Sequence, residues 1–369
     1  MSDPSQRRAH TRSSTSDRMA QIFSERNYEL LGELGRGGMG VVYLAQDKKL
    51  GRKAALKTLS PDRASKENSL RRFEREARTF AQIRHPHIAT LYEFADAGPI
   101  QYLALEYIDG YDLESERRRG KKWPQKEAAK IIMTLAGALD YTHNKGILHR
   151  DIKPGNILIE KATDRVVLTD FGLAKGRKDE TLTASGFAVG TPAYMAPEQI
   201  SDQFGVKPDG RSDVFSLGTV FYEMLTNVHP FLGADDLKTM RNIVHGDPEP
   251  LRKHDPALSP ALERIIFSML AKHPDDRISG AKEVAEKLAK WLDNPDAGAE
   301  QDAIETKAPS DASAKAGEAS AQPAIGGEKK PASTGSVSQK TFIIIVALTA
   351  VAMMILGALL VMLIQSMGS

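Results

Sequence analysis

Three residues close together in this sequence have the chemistry to manage a phosphate group. Asp151 and Asn156 lie in His149-Arg150-Asp151-Ile152-Lys153-Pro154-Gly155-Asn156, and Asp170 opens Asp170-Phe171-Gly172. Magnesium that bridges nucleotide phosphates takes hard oxygen ligands, which Asp170 and Asn156 supply. Asp151 can orient an incoming hydroxyl and accept its proton. Lys153 can meet negative charge on a transferring phosphoryl group. Upstream stands Gly35-Arg36-Gly37-Gly38-Met39-Gly40-Val41-Val42, spaced G-x-G-x-x-G-x-V. Glycines there let backbone N–H groups approach phosphate oxygens where a Cβ would collide. Lys57, closing Ala54-Ala55-Leu56-Lys57, follows at a distance suited to neutralising the α- and β-phosphates. Each string alone is weak, since an empty glycine hairpin, a solvated lysine and a polar loop read equally well. Together they are the parts that phosphoryl transfer requires.

The elements that must position these groups are readable in outline. A dinucleotide fold would need a helix after the glycine loop. Here β-type Val41 to Leu44 follows, which predicts a hairpin over the phosphates. Lys57 needs a carboxylate to hold it, and the helical segment Ser69 to Ile83 offers Glu74 and Glu76. Phe73, Ala77 and Phe80 give that segment an apolar face at i, i+4 and i+7, and both glutamates lie near it, so periodicity leaves the choice open. From Tyr28 to about Tyr107 short β-type runs dominate, among them Val41-Val42-Tyr43-Leu44 and Tyr102-Leu103-Ala104-Leu105. After Gly110 helical periodicity takes over, as in Lys126 to Asn144 and Val214 to Leu225. Pro192, Pro197, Pro230 and Pro248 punctuate loops there. The expectation is α+β: a small β-rich lobe followed by a larger helical one.

These motifs, with Ala196-Pro197-Glu198, occur in the order of the protein-kinase signature set. The chain resembles a bacterial Hanks-type (eukaryotic-like) serine/threonine protein kinase over residues 28–292. The resemblance implies a bilobal kinase fold, with an N-lobe over 28–107 and a C-lobe over 108–292. It implies transfer of the γ-phosphate of ATP to protein hydroxyls, with Mg²⁺, or Mn²⁺ in its place, on Asn156 and Asp170. Asp151, Lys153, Lys57 and Glu76 would be the catalytic set, Glu76 being the partner of Lys57. Leu34, Gly35, Arg36, Gly37, Gly38, Met39, Gly40, Val42, Ala55 and Leu158 would surround the nucleotide. Glu106 and Ile108 would offer hinge backbone hydrogen bonds, with Leu105 as gatekeeper. Glu198 would pair with Arg277, and Asp213 would brace the catalytic loop. Phe215 stands where the family often has Trp. Lys153 and Gly190-Thr191 resemble the serine/threonine class rather than tyrosine kinases. The rival reading is a catalytically silent scaffold, which would have lost Lys57, Asp151 or Asp170; all three are present.

A switch is also expected. Arg150 shares the cleft with Lys175, and a phosphorylated hydroxyl from the loop between them would pair bidentately with the guanidinium and order the segment. Thr181, Thr183 and Ser185 are the available hydroxyls, with Thr183 or Ser185 expected as the autophosphorylation site.

Composition closes off other classes. Net charge is +2 over 369 residues, so nothing suggests a nucleic-acid partner. Cysteine is absent, which excludes a disulfide framework and thiol chemistry. Residues 1–27 read as a flexible leader without a secretory signal. Residues 293–340 are Ala-, Gly-, Ser- and Pro-rich and read as a disordered tether. From Phe342 to Ile364 no charge interrupts an apolar run, and residues 341–364 are expected to span a bilayer as a helix. Lys329, Lys330 and Lys340 precede the span, which predicts a cytoplasmic kinase domain on the cell's inner (plasma) membrane, with residues 365–369 as an outer stub. The tether's reach of roughly 35–40 Å would let the domain meet a second copy in trans. Contact with membrane lipid is expected through the span. Arg117-Arg118-Arg119 and Lys121-Lys122 read chiefly as a solvated basic face, with anionic lipid as the alternative.

Overall fold

Sidedness in the strands explains how one small sheet serves both a core and a cleft. In this computed structural model the described residues are 19–37, 40–59, 80–96, 100–171 and 192–295, with the single positions 74, 77 and 78. A five-stranded antiparallel sheet has the order β1 (Tyr28–Gly37), β2 (Gly40–Asp47), β3 (Arg52–Thr58), β5 (Gln101–Glu106), β4 (Leu91–Asp96). On β2 every second residue is buried, which puts Val41, Tyr43 and Ala45 on one face. Ala54 and Leu56 of β3 join them, with Tyr28, Tyr102 and Ala104. Period two then turns Ala55 and Lys57 to the opposite face, and Ala55 packs against the second, larger core.

The expected leader 1–27 ends too late. Residues 19–25 are helical, and Phe23 is fully buried against the sheet, edge-on to Tyr102 at 5.1 Å. An aromatic ring in that apolar cluster pins what composition alone reads as a polar tail.

The helical lobe is built around Gly210–Thr226, in which every residue from Ser212 to Thr226 is buried. Asp209 caps its start by accepting from the Arg211 N–H, and Asn227, at φ +58°, ends it. Gln125–His143 packs against it, and both contact the last helix, Ala281–Asp293. Phe215 stacks on Phe231, with centroids 5.6 Å apart and planes 13° apart. A three-stranded sheet, β6 (Gly110–Asp112), β7 (Ile157–Glu160) and β8 (Val166–Leu168), lies at the lobe's near edge. The β7–β8 hairpin starts just after Asn156 and ends just before Asp170, so its pairing brings these two residues to one place.

The segment 341–364 lies outside the described residues. Among those residues no helix is long and apolar enough to cross a membrane.

Candidate active site

The loop that carries Asp151 is held from below by one carboxylate. Asp213, in the first turn of Gly210–Thr226, is buried. It accepts the backbone N–H groups of His149 and Arg150, both at 2.8 Å, and lies 2.8 Å from His143 Nε2. Burial opposes its charge, but the hydrogen bonds from His143 and from the His149 N–H hold the carboxyl below its usual range. Arg150 sits at φ +64° and Asp170 at φ +55°, both in the left-handed region. Such backbone costs about 1–3 kcal/mol per residue and persists where the surroundings enforce it. For Arg150 the bond to Asp213 is part of that enforcement.

His149 links the two halves of the site. Its Nδ1 accepts from the Asp151 N–H at 3.2 Å, so Nε2 carries the proton and donates to Thr169 O at 2.9 Å. Burial lowers its pKa and keeps the ring neutral. The ring lies 4.4 Å from that of Phe171, which in turn meets Phe80 at 5.2 Å.

Asp151 is the centre of the cluster. Lys153 Nζ stands 2.8 Å from its Oδ2. Asn156 Nδ2 donates to Asp151 O at 2.7 Å and to Oδ2 at 3.1 Å. With its amide nitrogen so engaged, Asn156 has its side-chain oxygen left as a metal-type donor. The Asn156 carbonyl accepts from the Thr169 N–H at 2.9 Å, which ties the loop to the residue before Asp170. Across the cleft, Lys57 Nζ pairs with Asp170 Oδ1 at 2.7 Å. Glu74 pairs with Arg78 at 2.7 Å on an exposed surface, so it is engaged elsewhere than at Lys57. Glu76 lies outside the described residues, as do Gly38, Met39, Lys175, Thr181, Thr183, Ser185 and Thr191.

The glycine-rich segment is a hairpin, with Gly37 opposite Gly40 and Gly35 opposite Val42. A Cβ on Gly35 or Gly37 would meet nothing within 4 Å among the described residues, so none of these demands glycine there. Gly40, at φ +143°, does require it. Leu34 is 47% exposed on the same strand, and Arg36 pairs with Glu33 at 2.6 Å. Val42 pairs with Lys57 across the sheet, and Ala55 lies opposite Leu105. Leu158 packs on a small cluster of Ala89, Ile108 and Val167.

Deeper in the lobe, Glu198 and Arg277 form a buried pair with both bonds at 2.7 Å. Ser212 and the carbonyls of Ala271, Lys272 and Arg211 take up their remaining bonds. Sequence reasoning missed several side-chain contacts, two of them on Gly210–Thr226. One is His143 with Asp213. The other is Tyr194 Oη donating at 2.7 Å to Glu223, which lies almost wholly buried; burial pushes both the carboxyl and the phenol up. No local pattern marks either pair.

The protein kinase domain model matches residues 28–290. The serine/threonine-protein kinase PknB of Mycobacterium leprae is 38% identical over 266 residues, covering 71% of this chain and 42% of that protein. PknB of Mycobacterium tuberculosis is 38% identical over 269 residues, with the same coverage of each. The chain thus spans under half the length of these curated relatives. The crystal structure of the Mycobacterium tuberculosis PknI kinase domain is 30% identical with a TM-score of 0.57, over 72% of this chain and 96% of that one.

Proposed function

This chain belongs to the protein kinase family and has bacterial serine/threonine kinases as relatives, and we propose that it transfers the γ-phosphoryl group of ATP to serine and threonine hydroxyls of proteins. The observation that carries this reading is the Asp151 carboxylate, held at 2.8 Å by Lys153 and at 3.1 Å by Asn156. A carboxylate fixed by two neighbours and still partly open to solvent suits a group that orients a hydroxyl and takes its proton as the new O–P bond forms and ADP departs. Lys153 would meet the charge on the phosphoryl group in transit.

The donor set fits magnesium. Asp170 and Asn156 offer hard oxygens, and among the described residues no group of three or more acidic, His or Cys side chains could cage an ion. An ion here would complete its shell with phosphate oxygens and water, which is the habit of Mg²⁺. When bound it would supply charge neutralisation on the phosphates. Lys57, freed from Asp170 by a phosphate, would take the α- and β-phosphates, and Glu76 would steady it. Gly35 to Val42 would cover the phosphates. Leu34, Ala55 and Leu158 would enclose the base against the main chain of Glu106 and Ile108.

We further propose the kinase domain over 28–292, the tether over 293–340 and the span over 341–364, with the domain cytoplasmic. Thr181, Thr183 and Ser185 would be sites of autophosphorylation in trans, read by Arg150 and Lys175. The test is the full-length chain in detergent with Mg²⁺ and γ-labelled ATP, beside Asp170→Asn. Label should appear on Ser/Thr in the wild type, vanish with a chelator, and fall at least about 100-fold in the variant. A variant that labels as fast as the wild type would refute the assignment.

A further inference from the structure

One guanidinium gathers three pieces of chain behind the hinge. Arg165 lies in the turn between β7 and β8. Its Nη2 stands 2.6 Å from Glu106 Oε1 at the end of β5. Its Nε meets Glu160 Oε2 of β7 at 3.2 Å, and Nη1 donates to Pro86 O at 3.1 Å. Glu106 is gripped from the other side as well. Its Oε2 accepts the Thr90 N–H at 3.1 Å, and its own N–H donates to Thr90 O at 2.8 Å. Pro86 and Thr90 belong to the connection into β4, and that connection is tied to β8 through His87 O to Leu168 N at 2.9 Å and Leu168 O to Ala89 N at 3.0 Å. The Arg165 side chain therefore closes a ring that runs from the helical lobe to the hinge and into the β-rich lobe.

We propose that Arg165 is a positioning residue for the nucleotide, acting through Glu106. This rests on the reading that the main chain of Glu106 and Ile108 receives the base. The Glu106 side chain is only 18% exposed, so its carboxylate depends on partners for solvation. Without the guanidinium it would keep, among the described residues, the Thr90 N–H as its donor and would turn toward water. That motion pulls on the same residue whose main chain meets the base. Misplacing a binding group by a fraction of an ångström weakens the ligand without touching the transfer step. The fork of arginine is needed because three acceptors on three segments are served at once. Lysine, a point charge, can serve one or two.

The experiment measures MgATP affinity by calorimetric titration of the full-length chain, together with KM and kcat. Arg165→Ala should raise both Kd and KM for MgATP about 5–10-fold and leave kcat within about twofold. Arg165→Lys should recover part of the loss. Glu106→Gln, which keeps the main chain, should match Arg165→Ala, and the double variant should add little. If Arg165→Ala does not fold, the Lys and Gln variants carry the same comparison. An Arg165→Ala protein with unchanged MgATP affinity, even at a lower Tm, would reduce Arg165 to a brace between lobes, as would fully additive losses in the double variant. A wild-type chain that binds MgATP but transfers no phosphate refutes the kinase reading while the titration still decides this one. A wild-type chain that binds no MgATP overturns both.

Discussion

Asp213 acts through the main chain: two backbone N–H groups and one imidazole converge on it, and the strained Arg150 depends on one of those bonds. The meeting of Asp151, Lys153 and Asn156 was legible in the sequence because side chains at short, fixed spacings in one loop come together. Lys153 and Asn156 reach Asp151 from within the same loop. His143 was not legible, because its partner Asp213 lies 70 residues along the chain. The same distance problem hid His229, whose ring packs edge-on against Tyr194 at 5.1 Å while Nδ1 accepts from the Phe231 N–H at 3.1 Å. Burial pushes His229 down to about 4, against about 6.5 in an unfolded chain. Between those values the unfolded state binds a proton that the native state refuses, so stability falls as pH drops through that window. The buried His149, also held low, adds in the same direction. Denaturant midpoints should show a loss from His229 of about 2 kcal/mol between pH 7 and pH 5. His229→Gln should flatten that slope; an equal slope in both proteins would place the titration elsewhere.

The hairpin, the β-rich lobe and the main helices follow from period-two and period-3.6 patterning. The helix expected over Val214 to Leu225 runs from Gly210 to Thr226. Its extra turn comes from the Asp209 and Asn227 caps, and its burial on every side left no polar face to mark the ends. The turn of helix at 19–25 was invisible for the opposite reason. It follows the polar stretch 1–18, and its apolar residues Met19, Ala20, Ile22 and Phe23 form too short a run to show a period, so only the tertiary cluster shows that Phe23 belongs to a core. Phe23→Ala should therefore cost about 3–4 kcal/mol in urea unfolding of the β-rich lobe. A cost below about 1 kcal/mol would show that this helix merely rests on the sheet.

At the scale of the molecule, the two lobes place Lys57 on one wall of a cleft and Asp151, Asn156 and Asp170 on the other, with Lys57 and Asp170 already in contact at 2.7 Å. Motif order made this bilobal arrangement legible. The ring through Arg165 was not, because Arg165, Glu106 and Pro86 are brought together only by the packing of both lobes. The proposed tether and span would add raised local concentration at a membrane, which favours phosphorylation of one copy by another. None of that matters unless Asp151 acts on the hydroxyl rather than on nucleotide binding. The direct measurement is MgATP affinity and phosphate transfer in full-length Asp151→Asn beside the wild type. The account predicts MgATP binding within about threefold of wild type and transfer to Ser/Thr reduced about 10²–10⁴-fold. Transfer at the wild-type rate in that variant would contradict it.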